Sequence, residues 1–243
     1  MSYLLIVGAK SDIAKAVARE YARNGYNIYL AGRAVEEMEA FVTDLKVRSG
    51  CKVKALELDI LDYASHQAFY DGLEEKPLGV VVAVGYLGEQ NKAQTSFEEA
   101  KKIMDTNYTG VVSILNITAN DFEARRSGFI VGISSVAGER GRKSNYIYGS
   151  AKSALTAYLS GLRNRLYEAQ VDVLTVKPGF VDTAMTAGMD LPAKLTAQPD
   201  EVAEDIYKAQ QGKKSVIYTK WLWRWIMLII TSIPEWQFKK MSI

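Results

Sequence analysis

The chain holds one cysteine, Cys51, and one histidine, His66, among 243 residues. A lone cysteine excludes an intramolecular disulfide framework and suits a reducing compartment. One histidine with one cysteine leaves no Cys/His cluster for zinc, and no metal site is expected. A Ser-His-Asp hydrolase would have to rest on His66 alone, and no G-x-S-x-G elbow accompanies it. Long apolar runs are also missing: the longest, Trp221–Ile233, has 13 residues and contains Arg224. As a helix at ~1.5 Å per residue it reaches roughly 20 Å, short of a ~30 Å hydrocarbon core, so no transmembrane span is expected. The first residues, Met1-Ser2-Tyr3-Leu4-Leu5, lack the basic and long apolar regions of a signal peptide, and a cytoplasmic location is expected. Neither sign of charge dominates: 30 Lys+Arg against 28 Asp+Glu give +2, which argues against a nucleic-acid partner. Five prolines, 18 glycines and 48% hydrophobic residues exclude collagen, coiled coil and disorder.

What is present is alternation. Short Val/Ile/Leu-rich runs over Tyr3–Val7, Asn27–Ala31, Val53–Leu58, Gly79–Val84, Gly128–Ser134, Val171–Val176 and Ser215–Tyr218 predict seven strands. Their nearly continuous apolar character is that of parallel strands buried on both faces. Helical spacing is carried by Asp12–Arg23, Ala34–Ser49, Tyr63–Glu74, Ser96–Asn120, Ser150–Ala169 and Pro199–Gln211. Strand–helix alternation with right-handed crossovers predicts an α/β, doubly wound parallel sheet with helices on both faces. With no repeat, linker or low-complexity tract, residues 1–243 read as one domain.

The first strand runs into Gly8-Ala9-Lys10-Ser11-Asp12-Ile13-Ala14 and then a helix. A glycine-bearing turn there lets backbone N–H groups at a helix N-terminus face a pyrophosphate. Only Gly8 of the expected glycines is present, and Ser11 or Asp12 capping an ordinary helix is the competing reading. The second strand ends Leu30-Ala31-Gly32-Arg33, with an arginine where an acidic residue would favour NAD. A guanidinium fork suits a ribose 2′-phosphate, so NADP(H) is preferred over NAD(H). Lys10 offers a second cation, and Asp59 an acceptor for the adenine amino group. Solvated surface charge is the alternative for Lys10 and Arg33, and a helix N-cap for Asp59.

Tyr148 and Lys152 stand four apart, on one side of a helix. An ammonium beside a phenol lowers its pKa toward working pH, which makes the tyrosine a general acid/base for a carbonyl/alcohol pair. Ser135 lies 13 residues upstream at a strand end, Asn107-Tyr108-Thr109-Gly110 further back, and Pro178-Gly179-Phe180-Val181-Asp182-Thr183 downstream. Four ordered motifs, the first-turn Gly8 segment, Asn107-x-x-Gly110, Ser135 with Tyr148-x-x-x-Lys152, and Pro178-Gly179-x-x-x-Thr183, resemble the short-chain dehydrogenases/reductases over nearly the whole chain. The resemblance implies a Rossmann-like sheet of seven strands in the order 3-2-1-4-5-6-7. It implies that Tyr148 donates the proton, that Ser135 binds the substrate oxygen, and that Lys152 lowers the tyrosine pKa and holds the nicotinamide ribose. Asn107 would hold a water that links Lys152 to solvent. Gly8, Lys10, Ser11, Asp12, Ile13, Arg33, Asp59, Ile60, Gly85, Tyr148, Lys152, Pro178, Gly179, Val181 and Thr183 are the candidate cofactor contacts. The implied activity is reduction of a ketone to a secondary alcohol by a homodimer or homotetramer.

Asp12, Ala14 and the run Val82-Ala83-Val84-Gly85 depart from the family pattern. With Lys10–Ala14, the run Val82–Gln90 resembles one branch, which includes a reductase of decaprenylphosphoryl 2-keto-pentose. That resemblance implies a keto-sugar on a lipid phosphate as substrate. A small soluble ketone or lipid carbonyl is the runner-up, and a non-catalytic nucleotide-binding scaffold is the reading from another class. Tyr86, Arg142 and Lys143 are candidate substrate contacts, the two basic residues for an anionic group.

The end of the chain differs from the rest. From Gly212 on there are six basic residues and one acid, which leaves 24 basic and 27 acidic residues before it. Over 219–243 the chain is Trp-rich, apolar nearly all round as a helix, and basic. Tryptophan flanked by Lys/Arg suits a peripheral membrane contact through 220–240, at the inner face of the membrane. A helix buried in a homo-oligomer interface is the alternative.

Overall fold

The computed structural model describes residues 1–241. Seven strands, β1 (Tyr3–Val7), β2 (Asn27–Gly32), β3 (Val53–Glu57), β4 (Gly79–Val82), β5 (Phe129–Ile133), β6 (Asp172–Pro178) and β7 (Val216–Thr219), form one sheet. Every pairing is parallel, as the sequence pattern predicts, and the order is β3-β2-β1-β4-β5-β6-β7, as the family resemblance implies. Alternation along β1 shows why these strands are continuously apolar. Leu4 and Ile6 face α1 (Asp12–Arg23), α2 (Glu39–Ser49) and α8 (Pro199–Gln211). Tyr3, Leu5 and Val7 face α3 (His66–Asp71), α6 (Gly110–Arg125) and α7 (Tyr146–Leu166). Each strand side chain buried this way contributes on the order of 2 kcal/mol.

Local signals set the helix ends. Ser11 accepts from the Ala14 N–H at 3.1 Å and starts α1, while Gln198 and Glu201 form a capping box around Pro199 at the start of α8. Several boundaries differ from the sequence expectation. The helix expected over Ser96–Asn120 is two helices, α5 (Phe97–Met104) and α6, joined by a π-turn at Asp105–Thr109. The segment expected from Ala34 begins with a 3₁₀ turn, Val35–Met38, because Ala34 is left-handed at φ 55°. The helix expected from Ser150 starts earlier, at Tyr146. A short α4 (Gln90–Thr95) was not anticipated.

The segment expected as a tail over 219–243 is ordered against the body. Thr219 ends β7 and is buried, and α9 (Leu222–Ser232) and α10 (Glu235–Phe238) follow. Ser242 and Ile243 lie outside the described residues. Far from being apolar all round in its contacts, α9 has two faces. Trp223 and Met227 are 4% and 1% exposed against Val136, whereas Trp225 and Ile229 are 54% and 67% exposed. Arg140 staples the end of this segment: it donates to the carbonyls of Thr231 (3.1 Å) and Ile233 (3.0 Å), pairs with Glu235 at 2.7 Å and lies over the Phe238 ring. No helix among the described residues is long and apolar enough to cross a membrane.

Candidate active site

The strand order reverses between β1 and β4, and a crevice opens at the carboxyl ends of those strands, where doubly wound sheets bind ligands. It holds two cavities, of about 360 and 450 Å³, which share Lys10, Ser11 and the loop Ala83–Gly85. The saddle between them depends on Gly8. Its φ is +85°, and a Cβ there would stand 2.8 Å from the Val84 nitrogen, so only glycine lets the two loops approach. Ser11 both caps α1 and lines the crevice, so the two readings of the first turn are compatible at that residue. Asp12 stands in a glycine position of the family pattern, and it accepts from the Ala184 N–H at 2.9 Å. The first turn is thereby tied to the 3₁₀ turn Ala184–Thr186.

The smaller cavity gathers Gly8, Arg33, Asp59, Ile60 and Tyr86, with Lys102 and Thr106 as additions that no sequence signal marked. Arg33 is exposed at its rim, whereas Lys10 is paired with Glu37. Asp59 accepts from the Leu61 N–H at 2.9 Å. The single histidine sits behind it: His66 is fully buried, 3.1 Å from the Asp59 carbonyl and 2.9 Å from the Ser113 hydroxyl. It holds Asp59 in place and lines neither cavity.

The larger cavity brings together Ser135 just past β5, Tyr148 and Lys152 from α7, Asp12 and Ile13 from α1, Pro178 at the end of β6, and Gly179, Val181 and Thr183 beyond it. Ser134 is turned away from chemistry, since its hydroxyl donates to the Lys152 carbonyl at 2.9 Å; the Ser135 hydroxyl shares the cavity with Tyr148 and pulls its pKa down. Burial pushes the Tyr148 phenol up to about 12, against the pull of Ser135. Burial pushes the Lys152 ammonium down to about 8. Lys152 Nζ donates to the Ile133 carbonyl at 3.1 Å and the Val84 carbonyl at 3.4 Å, and lies 5.7 Å from the Tyr148 ring centre. Two main-chain acceptors therefore hold the cation beside the phenol. Asn107 is buried in the π-turn and lines neither cavity. Its Nδ2 donates to the Tyr86 carbonyl (2.7 Å) and the Ile103 carbonyl (2.8 Å), and Oδ1 accepts from the Tyr86 N–H (3.3 Å), so its side chain clamps the loop after β4.

The apolar wall of the larger cavity comes partly from the end of the chain. Trp223 packs edge-on against Phe180, its indole N–H donates to the Leu195 carbonyl at 3.0 Å, and it covers Gly179 so closely that a Cβ there would stand 1.9 Å from the ring. The sequence pattern did not place Trp223 at the site. Arg142 lines this cavity too, with burial lowering its pKa. Lys143, expected beside it, is exposed and outside the lining, because the turn between Ser135 and Tyr148 points only one of the two inward. Among the described residues no group of three or more His, Cys, Asp or Glu could hold a metal ion.

Comparison with known proteins decides the family. A family model for short chain dehydrogenases matches residues 2–192. The chain belongs to the short-chain dehydrogenase family. It is 34% identical over 241 residues to an uncharacterised oxidoreductase of Mycobacterium tuberculosis, covering 98% of this chain and 96% of that one. It is 30% identical over 246 residues to an uncharacterised oxidoreductase of Streptomyces coelicolor, covering 99% and 96%. A short-chain dehydrogenase from Sphingobium yanoikuyae, solved in complex with NADPH, superimposes with a TM-score of 0.84 at 24% identity over 97% of each chain. This member of the family is an NAD(P)-dependent oxidoreductase.

Proposed function

We propose that the protein reduces a ketone to a secondary alcohol with NADPH. The observation that carries this reading is the convergence of Ser135, Tyr148 and Lys152 in one cavity next to the Gly8 turn. The crevice fits a dinucleotide: a main-chain cradle at the start of α1 suits a pyrophosphate, and Arg33 at the rim suits a 2′-phosphate. When bound, the nicotinamide supplies the hydride for the carbonyl carbon. Tyr148, kept protonated at neutral pH by burial, donates its proton to the carbonyl oxygen, and the Ser135 hydroxyl hydrogen-bonds that same oxygen. Lys152, protonated below about pH 8, stabilises the phenolate left behind. Asn107 acts by holding Tyr86 and the β4 loop. The test is NADPH consumption over a panel of ketones, with equimolar alcohol as the expected product. No consumption with any ketone would sink the reading, and equal kcat/KM with NADH would remove the NADPH preference.

The finer substrate reading is an amphipathic ketone such as a keto-sugar on a lipid phosphate. Arg142 supports it with a cation in the same cavity as the apolar side chains Phe180, Met185, Met189 and Trp223. The outer face of α9 supports a membrane location for such a substrate, since Trp221, Trp225, Leu228 and Ile229 are exposed beside Lys220 and Arg224. The one acid of this region, Glu235, is engaged by Arg140. An anionic lipid surface complements that face. Co-sedimentation with vesicles rich in anionic lipid is expected for the full chain and is expected to be lost in a Trp225→Gln/Ile229→Gln double variant. Equal sedimentation of both would remove the membrane part.

A further inference from the structure

Asn145 stands at the N-cap of α7, where an asparagine side chain ordinarily accepts from the first turn of the helix. Here it makes no such bond. Its Oδ1 is shut off from solvent and has no hydrogen-bond partner among the described residues, and the residue lines the cavity that holds Tyr148, three residues further on. Three residues earlier, Arg142 Nε is in the same condition, buried and without a partner among the described residues. Its guanidinium does reach Met227 Sδ, at 3.5 Å through Nη2. A turn locks the two residues together, with the Asn145 N–H donating to the Arg142 carbonyl at 3.1 Å.

One buried acceptor and one buried donor, on two residues that line the same cavity, form a complementary pair that leaves stability unclaimed until something bonds both. A hydroxyl does this, since it donates one proton and accepts through its lone pairs. A plain hydrocarbon cannot. Phe180, Met185, Met189 and Trp223 give the same cavity an apolar wall for the remainder of the molecule.

We propose that Asn145 Oδ1 and Arg142 Nε are a substrate-binding pair that selects ketones bearing a hydroxyl near the carbonyl: the hydroxyl donates to Asn145 and an oxygen of the same polar group accepts from Arg142. This deepens the ketone-reductase reading and rests on it. It adds Asn145 as a specificity-determining residue, and gives Arg142 a neutral polar partner as well as an anionic one.

The experiment is calorimetric titration of the NADP⁺-loaded protein, which has no hydride to give, with a ten-carbon methyl ketone and its α-hydroxy counterpart. The wild type is expected to bind the hydroxyketone at least tenfold more tightly. In Asn145→Leu that preference is expected to vanish, while the Kd of the plain ketone moves by less than about threefold. Arg142→Met is expected to shrink the preference independently, and Asn145→Ser, a residue type that favours a helix start, is expected to lose the preference with the helix end kept. Equal affinities in the wild type, binding of neither ketone, or a preference that survives Asn145→Leu would overturn the proposal. Turnover of the plain ketone with NADPH tests the reductase reading separately, whichever way the affinities fall.

Discussion

The two cavities on either side of the Gly8 turn are built from different materials. The smaller one is largely a main-chain cradle with charged side chains at its rim: Gly8, Gly32, the Ala83–Gly85 loop, and exposed Arg33 and Lys102. The larger one is a wall of side chains. It buries a phenol, an ammonium and a guanidinium among aromatic and thioether groups, and part of it is delivered by α9 from the far end of the chain. A main-chain cradle recognises what nucleotides share, and so follows from a turn between strand and helix. In the proposed reaction the side-chain wall performs the chemistry and chooses the substrate, with pKa shifts that burial dominates.

The sharpest way to break this comparison is to remove the proton donor and leave the cradle whole. Tyr148→Phe is expected to lower kcat by about 10³-fold or more with the NADPH Kd unchanged within a factor of about two, read by steady-state kinetics and fluorescence titration. Lys152→Met is next, with an expected loss of roughly 10²-fold in kcat. Its pH profile sharpens the point. Lys152 is held below its ordinary value, at about 8, so the wild-type reductive kcat is expected to fall as pH rises through 8, and the variant is expected to lack that fall. In the oxidative direction the need for phenolate makes the rate climb toward alkaline pH, because burial holds Tyr148 near 12.

Two smaller effects separate the regions by stability. Trp223→Ala opens a hole between α9 and Gly179 and is expected to cost about 3 kcal/mol in denaturant unfolding, with a raised ketone KM and an unchanged NADPH Kd. Gly8→Ala is expected to do the reverse: about 1–2 kcal/mol of destabilisation from the left-handed backbone, with NADPH binding weakened roughly tenfold and ketone specificity kept. If Trp223→Ala weakened NADPH and spared the ketone, the division between the two walls would fail.

The parallel, doubly wound sheet was legible because each strand is apolar on both faces and each crossover carries a helical period; the strand order came from the family resemblance. The proposed catalytic side chains were legible because Tyr148 and Lys152 sit on one helix and Ser135 just past one strand end. Three features were hidden for physical reasons. The π-turn at Asp105–Thr109 leaves the helical period nearly intact, so the break that buries Asn107 does not show in the pattern. The two faces of α9 could not be separated from a run in which both are apolar; only docking against Val136 and Phe180 distinguishes Trp223 from Trp225. The inward turn of Arg142 and the outward place of Lys143 depend on the loop's own course, which composition does not encode.

The most direct measurement follows the hydrogen itself. With NADPH deuterated at the transferable position of the nicotinamide, reduction of a ketone by the wild type is expected to place deuterium on the carbinol carbon. Tyr148→Phe is expected to bind the same NADPH and form almost no product. A product without deuterium, or undiminished product from Tyr148→Phe, would contradict the assignment of this site as a hydride-transfer centre with Tyr148 as its acid.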